Sequence, residues 1–298
     1  MSIVIAKIEG KNCSFFADTK VSVLSEDSSV SGVNKLRLPP EHGVLKIHVV
    51  SSKIIIGFAG TVELCTSIIE SFIQTKPGTL PLILEYFKSS LNENEDNSEF
   101  IIGIFIGDEP TLFKISRYNI ENGKSFWTGE PQAFEEFQSY FLEPKLDETS
   151  IINHALNAFR KTIENTQIST IGDFMITAYY NHEHNSFLYE EQLASYSGFE
   201  ALRVKANEKK LLSEGTLEQG AFTVSNLISN RSGNQAVCLY FSKPKTAFLY
   251  LPISYTNSNI EPIIFRNVSR QELNDITTAK YGFELIGFNL ENGKFDFK

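Results

Sequence analysis

The sequence has few cysteines and no excess of basic charge. Its three cysteines, Cys13, Cys65 and Cys238, are odd in number and widely spaced, which predicts buried or free thiols in a reducing cytoplasm rather than a disulfide framework. Lysine and arginine total 27 against 36 aspartates and glutamates, a net charge of −9. Nucleic acids and anionic membranes are bound by basic surfaces, so this balance argues against both as partners.

Long apolar runs are also missing. A transmembrane helix needs about 20 consecutive apolar residues, and the chain has no such stretch, so we expect no membrane span. The N-terminus lacks the basic and apolar regions of a secretory signal, and we expect a cytoplasmic protein. His182 and His184 could share one face of a strand, but no third ligand lies nearby in sequence. We therefore expect a solvated hairpin end there and neither a metal nor a cofactor.

Hydrophobic residues make up 42% of the 298 residues, and 24 phenylalanines supply ample apolar area for a core. The length fits one large domain or two ordinary ones. Residues 1–194 and 195–298 differ in pattern, with a charged, turn-prone segment at 204–210. We expect a first domain at 1–194 and a mainly β C-terminal extension at 195–298.

Alternating apolar residues and turn signals predict antiparallel hairpins in the first domain, and helical spacing predicts two pairs of helices. The expected strands are 3–8, 13–17, 44–50, 53–58, 100–106, 111–116, 125–128, 173–180 and 186–189, and the expected helices are 61–75, 80–91, 131–142 and 148–165. Strands, two helices, strands, two helices and strands predict an α+β fold, a four-layer α/β/β/α sandwich.

The extension shows strand-like runs at 221–227, 235–241, 247–252, 262–265 and 283–288. Ser269 and Glu272 form the pattern of a capping box, which predicts a helix over 269–280.

Ser2 precedes the first strand. If Met1 is removed, the hydroxyl and a free α-amine lie on one residue. The amine has a pKa near ~8, so it can accept the hydroxyl proton at neutral pH. This pair could act as nucleophile and base.

Five segments in order resemble the proteasome β-type subunits of the N-terminal-nucleophile hydrolase superfamily, nearest the bacterial proteasome-like ring proteases. The resemblance covers roughly residues 2–191. It is carried by the segments Ser2-Ile3-Val4, Ala17-Asp18-Thr19-Lys20, Val33-Asn34-Lys35-Leu36, Ile56-Gly57-Phe58-Ala59-Gly60-Thr61 and Trp127-Thr128-Gly129-Glu130-Pro131.

The resemblance implies a role for each matched residue. Ser2 falls at the nucleophile, where the family has threonine. Asp18 would orient Lys35, whose ammonium would lower the pKa of the Ser2 amine and hydroxyl. Gly60 would donate its backbone N–H to the oxyanion, and the Thr128 hydroxyl would contact the terminal amine.

Two further matches concern a second aspartate and the substrate. Asp173 is the candidate for the family's second catalytic aspartate, although Ile168 could occupy the expected position. The connection between Lys35 and Gly57 has about ten more residues than the short links that are usual in such domains. The substrate-binding residues implied by the resemblance are Lys20, Val21, Ser22, Phe58 and Val62, of which Val21, Phe58 and Val62 would form a pocket for modest apolar side chains.

The resemblance implies a peptidase or amidohydrolase that acts on polypeptides and forms a homo-oligomer, with an unfoldase or regulatory protein as a possible partner. A second interpretation stays open: a catalytically inactive, proteasome-like scaffold whose C-terminal domain binds a partner. Serine in place of threonine and the unmatched second aspartate favour the scaffold.

Overall fold

The computed structural model describes residues 2–20, 43–94, 96–144, 150–164, 168, 170–172, 175–190, 203–204, 211–212, 223–229, 235–241, 245–256, 259–285, 290–291 and 294–295. The chain forms two compact units, Met1–Leu188 and Tyr189–Lys298. The boundary expected after residue 194 lies outside the described residues and stays a prediction.

The first unit is α+β with two antiparallel five-stranded sheets. The strands are β1 (Ile3–Glu9), β2 (Asn12–Asp18), β3 (Ile47–Ser51), β4 (Ile54–Ala59), β5 (Glu99–Ile106), β6 (Glu109–Ile115), β7 (Ile120–Gly123), β8 (Ser125–Gly129), β9 (Met175–Asn181) and β10 (Ser186–Tyr189). One sheet has the order β10-β9-β2-β1-β8 and the other β3-β4-β5-β6-β7. The predicted α+β class with antiparallel hairpins is confirmed, and β7 is a strand that the sequence pattern did not predict.

Four helices belong to this unit: α1 (Val62–Thr75), α2 (Leu80–Asn94), α3 (Pro131–Phe141) and α4 (Ile151–Glu164). Pro131 opens α3, where its fixed φ suits the first turn and its missing N–H costs no hydrogen bond. Thr61 takes the N-cap position of α1, but its side chain does not cap the helix. Its hydroxyl donates to Asp96 instead, at 2.9 Å.

The phenylalanines of β2 mark the two faces of the first sheet. Phe16 packs against Phe159 of α4, with ring centroids 6.0 Å apart. The preceding residue, Phe15, lies on the other face and packs over Gly57 and Gly103 of the second sheet. The alternation of strand side chains therefore places helix contacts on one face and sheet contacts on the other.

The second sheet has helix contacts of its own. Phe87 of α2 packs against Phe100 of β5 at 4.9 Å between ring centroids. Phe100 also contacts Phe58 of β4. Side chains from α2, β4 and β5 thus form one buried aromatic cluster.

The second unit contains the antiparallel sheet β16-β15-β14-β13-β17. Its elements are β11 (Arg203–Val204), β12 (Leu211–Leu212), β13 (Thr223–Ser229), β14 (Gln235–Phe241), β15 (Thr246–Tyr250), α5 (Ile253–Thr256), β16 (Ile263–Phe265), α6 (Arg270–Tyr281), β17 (Phe283–Leu285), β18 (Leu290–Glu291) and β19 (Lys294–Phe295). Leu273 of α6 is buried with Cys238 and Leu249 of the sheet. The predicted capping box is present, with Ser269 and Glu272 each bonding the other's backbone N–H.

Within the described part of the chain, no helix combines the length and the apolar character that crossing a membrane requires.

Candidate active site

The ends of several strands meet at one edge of the first unit. Antiparallel pairing places the start of β1 beside the end of β2, with Val4 opposite Ala17. The start of β1 also lies beside the end of β8, with Ile3 opposite Gly129. In the second sheet, Ile47 at the start of β3 lies opposite Gly57 near the end of β4. Residues far apart in sequence are thereby brought to neighbouring strand ends.

The Asp18 carboxylate is fully buried and accepts four hydrogen bonds. Its Oδ1 accepts from the Ile3 backbone N–H at 2.9 Å and from the Lys46 ammonium at 2.8 Å. Its Oδ2 accepts from the backbone N–H groups of Lys20 and Gly172, at 3.2 and 3.3 Å. A buried charge is tolerated when it is paired and hydrogen-bonded in this way.

Lys46 is the lysine that the structure pairs with Asp18. Its side chain is 2% exposed, and its ammonium also donates to the Lys20 carbonyl at 2.6 Å. The sequence reasoning assigned this role to Lys35, which lies outside the described residues. The sequence contained a signal for Lys46. The connection between Lys35 and Gly57 is about ten residues longer than the family pattern, and this excess disappears if the lysine of the pattern is Lys46.

One carboxylate oxygen connects Lys46 to the start of β1. Two donors that each lie within 3 Å of Asp18 Oδ1 lie within about 6 Å of each other. Covalent geometry keeps the Ser2 hydroxyl within about 4 Å of the Ile3 nitrogen. The Lys46 ammonium is therefore at most about 10 Å from the Ser2 hydroxyl in any rotamer, and both residues are buried.

Ser2 is held on its other side by the end of β8. Its carbonyl accepts a hydrogen bond from the Glu130 backbone N–H at 2.7 Å. Gly129 has φ of +112°, and a Cβ there would lie 1.8 Å from the Ser2 carbonyl oxygen. Only glycine allows this close approach of the two backbones.

The Thr128 hydroxyl donates to Glu99 at 2.6 Å. The same Glu99 oxygen forms an ion pair with Lys114 at 2.9 Å. Thr128 lies opposite Val4, so its side chain shares a sheet face with Val4 and Ser2. The predicted contact of this hydroxyl with a terminal amine remains a prediction.

Gly60 follows β4 and takes φ of +133°, a conformation that other residues rarely adopt. A Cβ at this position would lie 2.1 Å from the Ser98 hydroxyl oxygen. The next residue, Thr61, donates its backbone N–H to that same oxygen at 2.9 Å. The turn between β4 and α1 is thus packed directly against Ser98.

Lys20, Phe58 and Val62 are the described residues that the resemblance assigned to substrate binding. The Lys20 ammonium donates to the Ile171 carbonyl at 3.3 Å. Phe58 is buried and stacks on His48 with ring centroids 6.1 Å apart, and Val62 is the first residue of α1. Burial lowers the pKa of His48 to about 4, against an opposing hydrogen bond with the Leu45 backbone.

Val21, Ser22 and Asp173 lie outside the described residues, as does Lys35, and their roles stay predictions. Ile168 is described and buried. His182 and His184 lie in the turn between β9 and β10, not on a strand, so strand alternation does not place them on a shared face. The described residues contain no group of three or more histidine, cysteine or acidic side chains arranged to hold a metal.

No family model and no curated protein matches the sequence. Among solved structures, the chain is similar to the Gly-1 mutant of Anbu from Hyphomicrobium sp. strain MC1. The match has 14% sequence identity and a TM-score of 0.48, and it covers 64% of this chain and 85% of the Anbu chain.

Proposed function

We propose that this chain is an N-terminal-nucleophile amidohydrolase of the proteasome-like type, with Ser2 as its nucleophile once Met1 has been removed. The supporting observation is the buried Asp18 carboxylate, which binds the Ile3 N–H and the Lys46 ammonium through one oxygen. That arrangement keeps a positive charge within about 10 Å of the residue that would carry both the hydroxyl and the amine.

In the proposed reaction, the Ser2 hydroxyl attacks an amide carbonyl and passes its proton to the Ser2 amine. The neighbouring Lys46 ammonium disfavours protonation of the amine before the attack, so the amine is available as a base. The Gly60 N–H stabilises the oxyanion. Collapse of the intermediate protonates and releases the amine of the product, and water then hydrolyses the acyl-serine ester.

The proposal includes the four-layer α/β/β/α arrangement. Its support is the set of contacts of Phe15 and Phe16: Phe16 packs on α4, and Phe15 packs on the second sheet. The contact between Phe87 and Phe100 provides the matching helix layer on the second sheet.

The test uses Ser2→Ala, Ser2→Thr and the unsubstituted chain, with intact mass measured first. We expect a mass lacking Met1, hydrolysis of small apolar peptide amides and covalent labelling by an electrophile that reacts with a hydroxyl and an adjacent amine. Ser2→Ala should abolish labelling and turnover, whereas Ser2→Thr should retain both because it keeps the hydroxyl and the amine. A retained Met1, or turnover unchanged in Ser2→Ala, refutes the assignment.

The second candidate is an inactive scaffold. It is favoured if the buried apolar Ile168, rather than Asp173, occupies the position where the family has its second catalytic aspartate. This candidate predicts that the processed chain neither turns over amides nor reacts with the electrophile. The same labelling experiment therefore separates the two functions.

A further inference from the structure

We propose that Ser98 and Asp96 are positioning residues that aim the Gly60 N–H at the oxyanion. This inference rests on the proposed function, because it assigns a supporting structure to the proposed oxyanion donor. Neither residue belongs to the segments that carry the resemblance described above.

Gly60 packs directly against Ser98. Ser98 is 1% exposed. Its Cα, Cβ and Oγ all lie within 2.6 Å of the position that a Cβ at Gly60 would occupy. The Gly60 Cα, which is joined directly to the nitrogen of the proposed donor, is therefore backed by a buried residue and cannot move toward it.

The peptide between Gly60 and Thr61 is held by a hydrogen bond to Ser98. The Thr61 N–H donates to Ser98 Oγ at 2.9 Å, and Ser98 Oγ donates to Asp96 Oδ1. Ser98 thus holds the Gly60–Thr61 peptide by its N–H, and the Gly60 Cα lies against the same side chain. A φ of +133° at Gly60 is sparsely populated and persists only where surrounding contacts hold it.

Both carboxylate oxygens of Asp96 accept hydrogen bonds. Its Oδ2 accepts the Thr61 hydroxyl at 2.9 Å, and its Oδ1 accepts the Ser98 backbone N–H at 2.6 Å. Burial of Asp96 favours its neutral form, but the hydrogen bonds from Ser98 and Thr61 lower its pKa below the usual value. The ionised carboxylate therefore holds Thr61 by its side chain and, through Ser98, by its backbone.

Oxyanion stabilisation depends on the direction of the donor, because the donor must meet the oxygen of the tetrahedral intermediate rather than that of the bound substrate. A turn that rotates freely loses this benefit while the substrate still binds. Removal of the support should consequently lower kcat and leave KM almost unchanged.

The test compares Ser98→Ala and Asp96→Ala with Ser116→Ala in the processed, full-length chain. Ser116 is a matched control because its buried hydroxyl also holds a turn at a strand end, through Asn119, without touching Gly60 or Thr61. We expect kcat to fall about tenfold or more in Ser98→Ala, with KM within about twofold. In Asp96→Ala, at a partly exposed position, kcat should fall less. In Ser116→Ala, kcat should stay within about twofold of the unsubstituted chain.

Hydrogen exchange, followed by mass spectrometry of the peptide containing Gly60 and Thr61, provides a readout that does not need turnover. The loss of its acceptor should make the Thr61 amide exchange about fivefold to tenfold faster in Ser98→Ala than in Ser116→Ala. An unchanged kcat, or equal falls in kcat for Ser98→Ala and Ser116→Ala, overturns the positioning role. If the unsubstituted chain has no turnover, the proposed function fails and the exchange rates alone decide: unchanged exchange overturns the support of the turn as well.

Discussion

The pairing of Asp18 with Lys46 gives a prediction about stability that is independent of catalysis. Lys46→Met leaves the Asp18 carboxylate buried with backbone donors only, and loss of one partner of a buried ion pair costs about 3–5 kcal/mol. The free energy of unfolding should fall by this amount in urea titrations followed by the fluorescence of Trp127, the single tryptophan.

Two comparisons test the physical reason for that loss. Lys161 forms an ion pair with Glu143 in which both side chains are about half exposed, so Lys161→Met should cost less than about 1 kcal/mol. Asp18→Asn combined with Lys46→Met removes both charges, but the amide nitrogen cannot accept a backbone N–H, so the double variant should recover only part of the stability. A loss below about 1 kcal/mol for Lys46→Met alone would contradict the buried pair.

His48 gives a prediction about acid stability. Its pKa is lowered to about 4 by burial, whereas the unfolded chain binds a proton near pH 6.5. Between these values the unfolded state binds more protons, so stability is lost as the pH falls from 6.5 toward 4, by about 3 kcal/mol in total. His48→Phe should remove most of this dependence.

The measurement is urea unfolding of both chains at pH 7 and pH 4.5. His48 Nε2 is buried without a hydrogen-bond partner, but the ring also bonds the Leu45 backbone, so its replacement by an apolar ring should cost about 1 kcal/mol at pH 7. The exposed His184 in the β9–β10 turn serves as the control, and His184→Phe should leave the acid dependence intact. Equal acid sensitivity of His48→Phe and the unsubstituted chain would contradict the prediction.

At the residue scale, the sequence predicted Ser2, Asp18 and Gly60 as site residues, and their roles stay predictions. The structure brings Ser2 and Asp18 close together and holds Gly60 in a tightly packed turn. The sequence reasoning did not predict the ion pair between Lys46 and Asp18, because the position of extra residues within a polar stretch of sequence leaves no periodic pattern. It also missed Ser98, since the contact with Gly60 depends on the fit between two strand ends rather than on any local pattern.

The capping box of α6 gives the prediction at the scale of elements. The Ser269 hydroxyl accepts the Glu272 N–H at 3.2 Å, and its loss at an N-cap costs about 1 kcal/mol. The amides of α6 should therefore exchange about fivefold faster in Ser269→Ala, measured by mass spectrometry. Ser89→Ala, at a partly exposed position inside α2, removes a hydrogen bond to Glu85 and should change exchange in its own helix by less than twofold.

Hydrogen bonds from Ser269 lower the pKa of Glu272. The contribution of this carboxylate is therefore present above its ordinary pKa and is lost as the pH falls through the lowered value. The difference in exchange between Ser269→Ala and the unsubstituted chain should narrow in acid. A constant difference down to pH 3 would contradict the ionic part of the cap.

Helices and hairpins were the most predictable elements. The period of apolar residues places α1, α2 and α3 within a few residues of their predicted ends. The short strand β7 escaped prediction because Ile120–Gly123 has a single apolar side chain and is held to β6 by backbone pairing. Pairing of that kind depends on the neighbouring strand rather than on the sequence of the strand itself.

At the scale of the whole molecule, we expect a homo-oligomer, as the resemblance implies. Leu82 on α2 is 58% exposed, and Leu142, which follows α3, is 80% exposed. Single exposed apolar side chains are normal on a protein surface, so substitution decides whether these two contact another copy of the chain. Sedimentation velocity at micromolar concentration should give a species heavier than the 33.6 kDa chain.

Substitution of these side chains tests whether they form the contact. Leu82→Lys combined with Leu142→Lys places two charges where an apolar contact would form, and burial of unpaired charge is costly, so the sedimentation coefficient should fall to that of the single chain. Tyr255 of the second unit is 46% exposed, and Tyr255→Lys should leave the assembly unchanged. A monomeric unsubstituted chain contradicts the expected assembly, whereas an assembly that persists in the double variant assigns the contact to other surfaces.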